Sequence, residues 1–482
     1  MTIPPVQAGG TVLPPRPSRQ PQPQPRVLPD PALRHRRRMW RTDGLQTASW
    51  ISVAIVIALF LADDARNGFS SVGEAVTSLG ILTGLIGTDL LLIMLLLAAR
   101  LPLIDRTFGH DRAIGFHRQL GKPVLYLLLA HTVLLIFGYG INEGISAVAE
   151  TVSLWTSVPD MAFAFIGLGL LIAVVVTSVV SVQRRYPYEV WHAIHLLAYV
   201  AVLASLPHQF SAGAIFADGT WQRYYWLALY LLVAGSIAVF RIIVPVIRTN
   251  RHRLQVSEVV PAGPNAITIR MTGTQLQELA IQAGQFFLWR FLAPGLWWHA
   301  HPFSLSAAPT ATGLEVTVRG RGAGTERLLS VHPGTRVAIA GPYGIFSQAA
   351  RTSDRLVMIG AGIGIAPIRS LLEEADFEPG NAVVILRASS EAELFLAREM
   401  HALCERRGAY LYLETGPRPR DRQHWLPQAS ARRGFCLADY APDAAGADVF
   451  VCGPQQWSEL VIADARASGV PSEAIHYERF SW

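Results

Sequence analysis

Histidines inside long apolar stretches are the residues of this chain most suited to chemistry. An ionisable side chain is costly in an apolar environment and is usually functional there. Five such histidines occur: His117, His131, His192, His195 and His208. On a helix, His117 and His131 are about 21 Å apart along the axis and within ~40° of one face. On a second helix, His195 and His208 are about 20 Å apart along the axis.

Two helices that each carry imidazoles at two depths can hold two metal groups. If both helices run in the same direction, His117 lies level with His195, and His131 lies level with His208. A neutral nitrogen on each side of the iron is what a six-coordinate b-type haem requires. The pattern therefore predicts that these four histidines bind the iron of two haems, in these two pairs.

The spacing on the second helix is less regular than the spacing on the first. On a straight helix, His195 and His208 are roughly 140° out of phase, and His192 is just as far from the phase of His208. Pro207 directly precedes His208, and a proline kink can rotate the end of a helix. Because a lone buried histidine ordinarily bonds a neighbouring helix, we assign His192 to packing.

The elements that position these histidines form an apolar half of the chain. Six stretches have the length and polarity of membrane-spanning helices, at residues 47–65, 79–99, 119–140, 161–182, 189–210 and 222–247. About 20 apolar residues at 1.5 Å each cross a hydrocarbon core of ~30 Å. The basic residues behind the net charge of +6 flank these stretches, which favours a lipid bilayer over nucleic acid as the partner. We predict a six-span haem-binding domain over residues 47–248.

Charge along the chain also predicts the orientation of the spans. The tail, the loop at residues 100–122, the Arg184-Arg185 turn and the exit at residues 248–253 are basic, and the alternate loops are mainly acidic. The positive-inside rule then places both termini in the cytoplasm, with the chain integral to the plasma (inner) membrane. Residues 1–46 are rich in proline and basic residues, and we expect a disordered tail there.

A different pattern follows the apolar half. Residues 249–350 contain short alternating runs with Gly and Pro breaks, such as Ala266–Met271, which predict an antiparallel β-barrel. Residues 351–482 alternate strands with helices, which predicts a parallel α/β nucleotide-binding domain. The three cysteines of the chain all lie in this second half: Cys404, Cys436 and Cys452. An odd count without paired spacing argues against a disulfide framework and suits a reducing cytoplasm.

Five short motifs in this half are suited to binding nucleotides. They are His301-Pro-Phe-Ser304, the Arg319–Thr325 loop, Gly360-Ala-Gly-Ile-Gly364 with Pro367, Cys452-Gly-Pro454 and the terminal Trp482. A cation and backbone donors hold a pyrophosphate, and missing side chains let the backbone approach one at a helix N-terminus. Cys452-Gly-Pro454 follows a strand, at the edge where open α/β sheets bind ligands.

In this order, and with the paired histidines, the motifs resemble the NADPH oxidase/ferric reductase family in its short bacterial form. That family combines a six-helix transmembrane bundle with ferredoxin-reductase-like FAD and NADPH domains. The resemblance implies that FAD binds His301, Pro302, Phe303, Ser304, Arg319, Gly322, Thr325 and Trp482. It implies that NADPH binds Gly360, Gly362, Gly364, Pro367, Cys452, Gly453 and Pro454. Ser304, Cys452 and Trp482 would be the catalytic residues, with Trp482 covering the flavin.

The coenzyme and the electron path follow from these motifs. Arg387 ends the strand after the glycine loop, where an arginine accommodates a 2′-phosphate, so we place it at NADPH; the alternative role is a solvated surface charge. We favour NADPH as the coenzyme, with NADH as the alternative. Hydride delivers two electrons, haem iron accepts one, and flavin handles both. We therefore expect electrons to pass from NADPH through FAD and two b-type haems to an acceptor outside.

The final acceptor is left open by the sequence. Oxygen (giving superoxide), ferric iron, a quinone and a partner protein all remain, since no motif in the outer loops decides. We expect a small-molecule acceptor, no nucleic acid and no obligate protein partner. The alternative class is a flavin-linked membrane sensor or transporter without transmembrane electron transfer, although the internal repeats and broken helices of transporters are not seen.

Overall fold

The computed structural model describes residues 31–62, 69–179, 188–212 and 220–479, in two compact units. The first, the helical unit, consists of Arg41–Ile104 and Arg112–Arg241. The second, the sheet unit, consists of the described residues of 31–40, Asp105–Asp111 and 242–479. The terminal Trp482 and residues 1–30 lie outside the described residues.

Nine helices are described before the first strand. They are α1 Pro31–Leu61, α2 Val72–Ala98, α3 Pro102–Phe108, α4 His110–Glu143, α5 Ala147–Ser157, α6 Met161–Val179, α7 Tyr188–Ser211, α8 Trp221–Ile237 and α9 Val244–His252. A π-helical turn, Ala238–Ile243, joins α8 to α9. Among the described residues, six helices are long and apolar enough to cross a membrane, and they match the six predicted spans in order.

The start of α1 corrects one expectation. The predicted disordered tail, 1–46, is helical from Pro31 onward, so the expectation of disorder is wrong for residues 31–46. Proline is favoured in the first turn of a helix, because its fixed φ suits that turn and its missing N–H is not needed there. The remainder of that tail, residues 1–30, lies outside the described part of the chain.

Close helix packing in the helical unit depends on small residues. On α6, a Cβ added at Gly167 would lie 2.8 Å from the carbonyl oxygen of Ala201 on α7, so only glycine permits this approach. Large side chains such as Trp226 and Leu92 fill the core between α1, α2 and α8. Helix α7 is continuous from Tyr188 to Ser211, with Pro207 inside its last turns.

Six strands in the sheet unit form two antiparallel three-stranded sheets. They are β1 Gln255–Gly263, β2 Ala266–Thr272, β3 Phe286–Phe291, β4 His301–Ser304, β5 Gly313–Arg319 and β6 Val337–Tyr343. The sheet orders are β1-β2-β5 and β4-β3-β6, with the short helix α10 (Ala323–Leu328) after β5. Isolated bridges Gln255–Arg336 and Leu305–Val316 link the sheets, but the strand pairing of the described residues does not close them into a barrel.

The last part of the sheet unit is a five-stranded parallel sheet with helices on both faces. In chain order its elements are β7 Leu356–Ala361, α11 Ile365–Glu374, β8 Ala382–Ala388, α12 Ala397–Arg407, β9 Tyr410–Thr415, α13 Gln428–Arg432, α14 Leu437–Tyr440, β10 Asp448–Gly453, α15 Gln455–Ala467 and β11 Ile475–Arg479. The strand order is β11-β10-β7-β8-β9. Strands buried on both faces suit such a sheet, and the predicted α/β architecture is confirmed.

Candidate functional site

The structure brings His117 and His195 together. Their ring centroids are 5.9 Å apart at an interplanar angle of 64°. His117 Nδ1 donates to the backbone carbonyl of Met94 on α2, at 3.0 Å. His195 Nδ1 lies 3.3 Å from the hydroxyl of Ser178, and the indole of Trp191 stacks on the His195 ring at 5.2 Å. Both imidazoles therefore have a bonding partner on Nδ1, which leaves Nε2 for another ligand.

His131 and His208 line one cavity of about 240 Å³ in the helical unit. His131 Nδ1 donates to the carbonyl of Gly80 on α2, at 2.8 Å. His208 Nδ1 is buried and has no hydrogen-bond partner among the described residues. The predicted second pair thus shares a cavity. The fifth histidine of the predicted set, His192, packs against Trp191, at 6.4 Å between ring centroids.

The cavity residues fit a large, flat, mostly apolar group held between two imidazoles. A Cβ added at Gly84 would lie only 2.3 Å from His131 Nδ1, so a glycine is required behind this ring. The lining is otherwise mainly apolar, with Leu128 and Leu168 among its residues. A metal-binding histidine ordinarily donates its other ring N–H to a carbonyl or carboxylate, which His117 and His131 both do. These residues fit b-type haem.

The sequence analysis did not predict that carbonyl groups of α2 accept hydrogen bonds from His117 and His131. A signal for this contact was nevertheless present. Glycines recur on α2 at three-, four- and seven-residue steps: Gly73, Gly80, Gly84 and Gly87. Small residues at such spacings mark a helix face that a neighbouring helix approaches closely. In the structure this face meets α4, the helix that carries His117 and His131.

In the sheet unit, the predicted flavin motif lies on β4 at the edge of its sheet. Ser304 is paired in register with Phe286 of β3, and its hydroxyl donates to the carboxylate of Glu478 at 2.9 Å. Both partners are buried. The carbonyl of Phe303 accepts from the indole of Trp289 at 2.8 Å, which fixes the backbone of the motif. Glu478 was not predicted, and its nearness to the terminal aromatic residue was the available signal.

The Arg319–Thr325 loop approaches the same strand. A Cβ added at Gly324 would lie 3.3 Å from Cε1 of His301. Thr325 Oγ1 accepts from the backbone N–H groups of Arg321 and Gly322, at 2.9 and 3.2 Å, and so orders the turn. The guanidinium of Arg319 forms an ion pair with the carboxylate of Glu393 and lies over the ring of Phe395. A pyrophosphate bound at Arg319 would therefore have to compete with Glu393 for this guanidinium.

The nicotinamide loop and its later partner lie side by side. Gly360 of β7 is paired in register with Cys452 of β10, so both loops leave the sheet at its carboxyl edge. A Cβ added at Gly364 would lie 2.3 Å from the carbonyl oxygen of Cys452, so this contact requires glycine. Pro367 lies in the first turn of α11, as predicted from sequence. The thiol of Cys452 is fully buried in the core.

The structure gives Arg387 a different environment from the one expected. Its side chain is buried, and the guanidinium donates to the backbone carbonyls of Ala388 and Gly416. Burial, together with the nearby Arg418, lowers the pKa of Arg387 to about 10. The guanidinium therefore holds the loop after β9 and has few donors left for a 2′-phosphate.

Two family descriptions match separate parts of the chain. Residues 83–206 match a family described as the ferric reductase-like transmembrane component. This range contains His117, His131, His192 and His195 and ends two residues before His208. Residues 358–461 match the oxidoreductase NAD-binding domain, which includes the glycine loop and Cys452.

Several curated proteins are similar to parts of the chain. Ferredoxin–NADP reductase B of Sorangium cellulosum is 29% identical over 194 residues, 37% of this chain and 77% of that protein. The ferredoxin reductase component of the 3-ketosteroid-9-alpha-monooxygenase of Mycolicibacterium smegmatis is 30% identical over 241 residues, 47% of this chain and 65% of that protein. Ferric reduction oxidase 5 of Arabidopsis thaliana is 26% identical over 290 residues, 58% of this chain and 37% of that protein.

Proposed function

We propose that this chain carries electrons from NADPH through FAD and two b-type haems to an acceptor across the bilayer. The chain is an integral membrane oxidoreductase, in which a ferric reductase-like transmembrane domain precedes an oxidoreductase NAD-binding domain. The observation that carries the proposal is the pairing of four membrane histidines at two levels of one helix bundle. Flavin supplies the exchange between the two-electron chemistry of a nicotinamide and the one-electron chemistry of iron.

The helical unit would hold the haems through Nε2 of each paired histidine. His117 and His131 donate Nδ1–H to carbonyls of α2, which sets both their tautomer and their ring orientation. The same contacts make each imidazole a better iron ligand, because a hydrogen bond to Nδ1–H raises the basicity of Nε2. The apolar lining of the His131/His208 cavity keeps water from that site.

The sheet unit would hold the flavin and the coenzyme. Phe303 offers a face for the flavin ring, and the buried Ser304–Glu478 pair offers a polar contact beside it. The Gly360–Gly364 loop and Cys452–Pro454 offer backbone approach to the coenzyme at the carboxyl edge of β7 and β10. One core shared by both antiparallel sheets supports a barrel-like flavin domain.

The proposal also names the coenzyme and the orientation of the chain in the membrane. We retain NADPH, with NADH as the alternative, and expect its 2′-phosphate near Arg418 rather than at the buried Arg387. By the positive-inside rule both termini lie in the cytoplasm, so the acceptor lies outside. We propose oxygen or ferric iron as that acceptor, with no obligate protein partner.

Purification of the full chain in detergent tests the proposal. A dithionite-reduced spectrum should show two b-type haems per chain, and NADPH should reduce both flavin and haem. Assays with oxygen and with a ferric chelate in parallel identify the acceptor. A purified chain that binds flavin but no haem would support the sensor or transporter alternative instead.

Matched histidine variants test the pairing. His131→Leu and His208→Leu should each lose one haem of two, keep NADPH-driven flavin reduction and lose reduction of the external acceptor. His192→Leu is the control and should keep both haems, since its ring packs against Trp191. Loss of a haem in His192→Leu with two haems kept in His208→Leu would overturn the assignment on α7.

A further inference from the structure

A row of five aromatic rings leads into the flavin motif of β4. In order they are Trp297, Trp298, His299, His301 and Phe303, and successive ring centroids are 5.6, 5.5, 5.9 and 5.6 Å apart. The rings of His301 and Phe303 are parallel to within 1°. The row begins in the loop that follows β3 and ends beside the catalytic candidate Ser304.

The outer end of this row is exposed. Trp297 is 57% exposed and Trp298 is 53% exposed, whereas Trp289 and Trp425 of the same unit are almost completely buried. Two adjacent exposed tryptophans in a connecting loop form an apolar surface of the kind that marks a binding site. An indole is a wide π-face that needs little side-chain ordering to receive a flat ligand.

The position of each ring along the row matches the order of groups in FAD. Phe303 and Ser304 lie at the end proposed for the flavin ring, and Ser304 contacts Glu478. His301 comes next and approaches Gly324 in the turn proposed for the pyrophosphate. The dinucleotide continues from its pyrophosphate to an adenine, and the row continues from His301 toward Trp298.

We propose that Trp298, supported by Trp297, is the stacking platform for the adenine of FAD. This inference rests on the proposed function, because it assigns one more group of the same cofactor. Any base can stack on an aromatic side chain that has an exposed π-face, and the Trp298 indole provides one. The platform would distinguish FAD from FMN, which lacks the adenylate half.

The test compares binding of FAD and FMN to the full chain, stripped of flavin, in detergent. Stacking of one base contributes about 1–3 kcal/mol, so Trp298→Ala should raise the Kd for FAD by about 5- to 150-fold. The Kd for FMN should stay unchanged. Trp298→Phe should retain most of the FAD affinity, because it keeps a π-face. Leu292→Ala, which removes another exposed apolar side chain just after β3, is the control and should change neither Kd.

Several outcomes would overturn the inference. An unchanged FAD Kd in Trp298→Ala would mean that the indole does not contact the cofactor. Equal weakening of FAD and FMN would mean that the variant disturbs the whole flavin site. If Trp298→Ala does not fold, Trp298→Leu keeps the apolar volume and must show the same FAD-selective loss. A wild-type chain that binds neither flavin would refute the proposed function, whereas equal wild-type affinity for both flavins would refute the adenine platform alone.

Discussion

Substitution of Gly84 tests whether α2 positions the histidines of α4. The Cβ of Gly84→Ala would lie 2.3 Å from Nδ1 and 2.7 Å from Cε1 of His131. The obstacle is a ring packed between helices rather than the flexible end of a side chain. The ring would have to retreat by about 1 Å or more to reach ordinary van der Waals separation.

This displacement is large enough to break the anchoring hydrogen bond. The His131 Nδ1 to Gly80 O distance is 2.8 Å, so a retreat of about 1 Å away from α2 takes it beyond hydrogen-bond range. Loss of the partner that orients a metal-bound histidine typically costs 10- to 100-fold in metal affinity, about 1.4 to 2.8 kcal/mol. We therefore expect Gly84→Ala to lose most of one haem and to keep the other.

The assay measures haem per chain from the reduced spectrum of purified protein, together with the yield of inserted chain. Gly235→Ala on α8 is the matched control, because an added Cβ there meets nothing within 4 Å and alanine favours a helix. The control should keep two haems. If Gly84→Ala also kept two haems with an unchanged spectrum, the placement of His131 against α2, and with it the second haem site, would be refuted.

Three further predictions concern the sheet unit. Ser304→Ala removes the donor to the buried Glu478 carboxylate, which costs about 1–3 kcal/mol. Flavin reduction by NADPH should therefore slow by about 5- to 150-fold in stopped flow, with haem content intact. Arg387→Lys should lower the thermal stability of the chain and leave the ratio of kcat/KM for NADPH and NADH unchanged, since the arginine donates to backbone carbonyls; a selective loss of NADPH use would restore its phosphate role. Removal of Trp482 should change kcat and KM for NADPH together without loss of haem, and unaltered kinetics would refute its position over the flavin.

Strong local patterns account for the parts of the fold that sequence could predict. Six long apolar stretches, alternating strands and the Gly360–Gly364 loop each need only a short window of residues to be recognised. Whether the two antiparallel sheets close into a barrel depends on long-range pairing, such as the bridge Gln255–Arg336, and no local pattern encodes such pairing. The helical start at Pro31 was missed because proline-rich composition outweighed the helix signal of the residues that follow.

Arg387 shows why the chemistry of a single residue is harder to predict than its position. The sequence places it correctly at the end of β8, near the carboxyl edge of the sheet. Its partners, the carbonyls of Ala388 and Gly416, are backbone groups, and no residue type in the sequence identifies them. A guanidinium with such partners stabilises a loop, although the same residue exposed at the same edge would bind phosphate.

The two helices that carry the proposed histidine pairs differ in how their imidazoles are anchored. Gly80 and Met94 on α2 are as far apart in sequence as His117 and His131 on α4, and each carbonyl takes one imidazole in antiparallel order. Because both helices rise by the same distance per residue, the two hydrogen bonds can form at the same time, and they hold the two rings of α4 in place. On α7 the anchoring is weaker, because His195 Nδ1 lies beside a serine hydroxyl and His208 Nδ1 has no hydrogen-bond partner among the described residues. We therefore expect the anchored rings of α4 to set the two levels of the proposed pairs, and the rings of α7 to make any rotational adjustment.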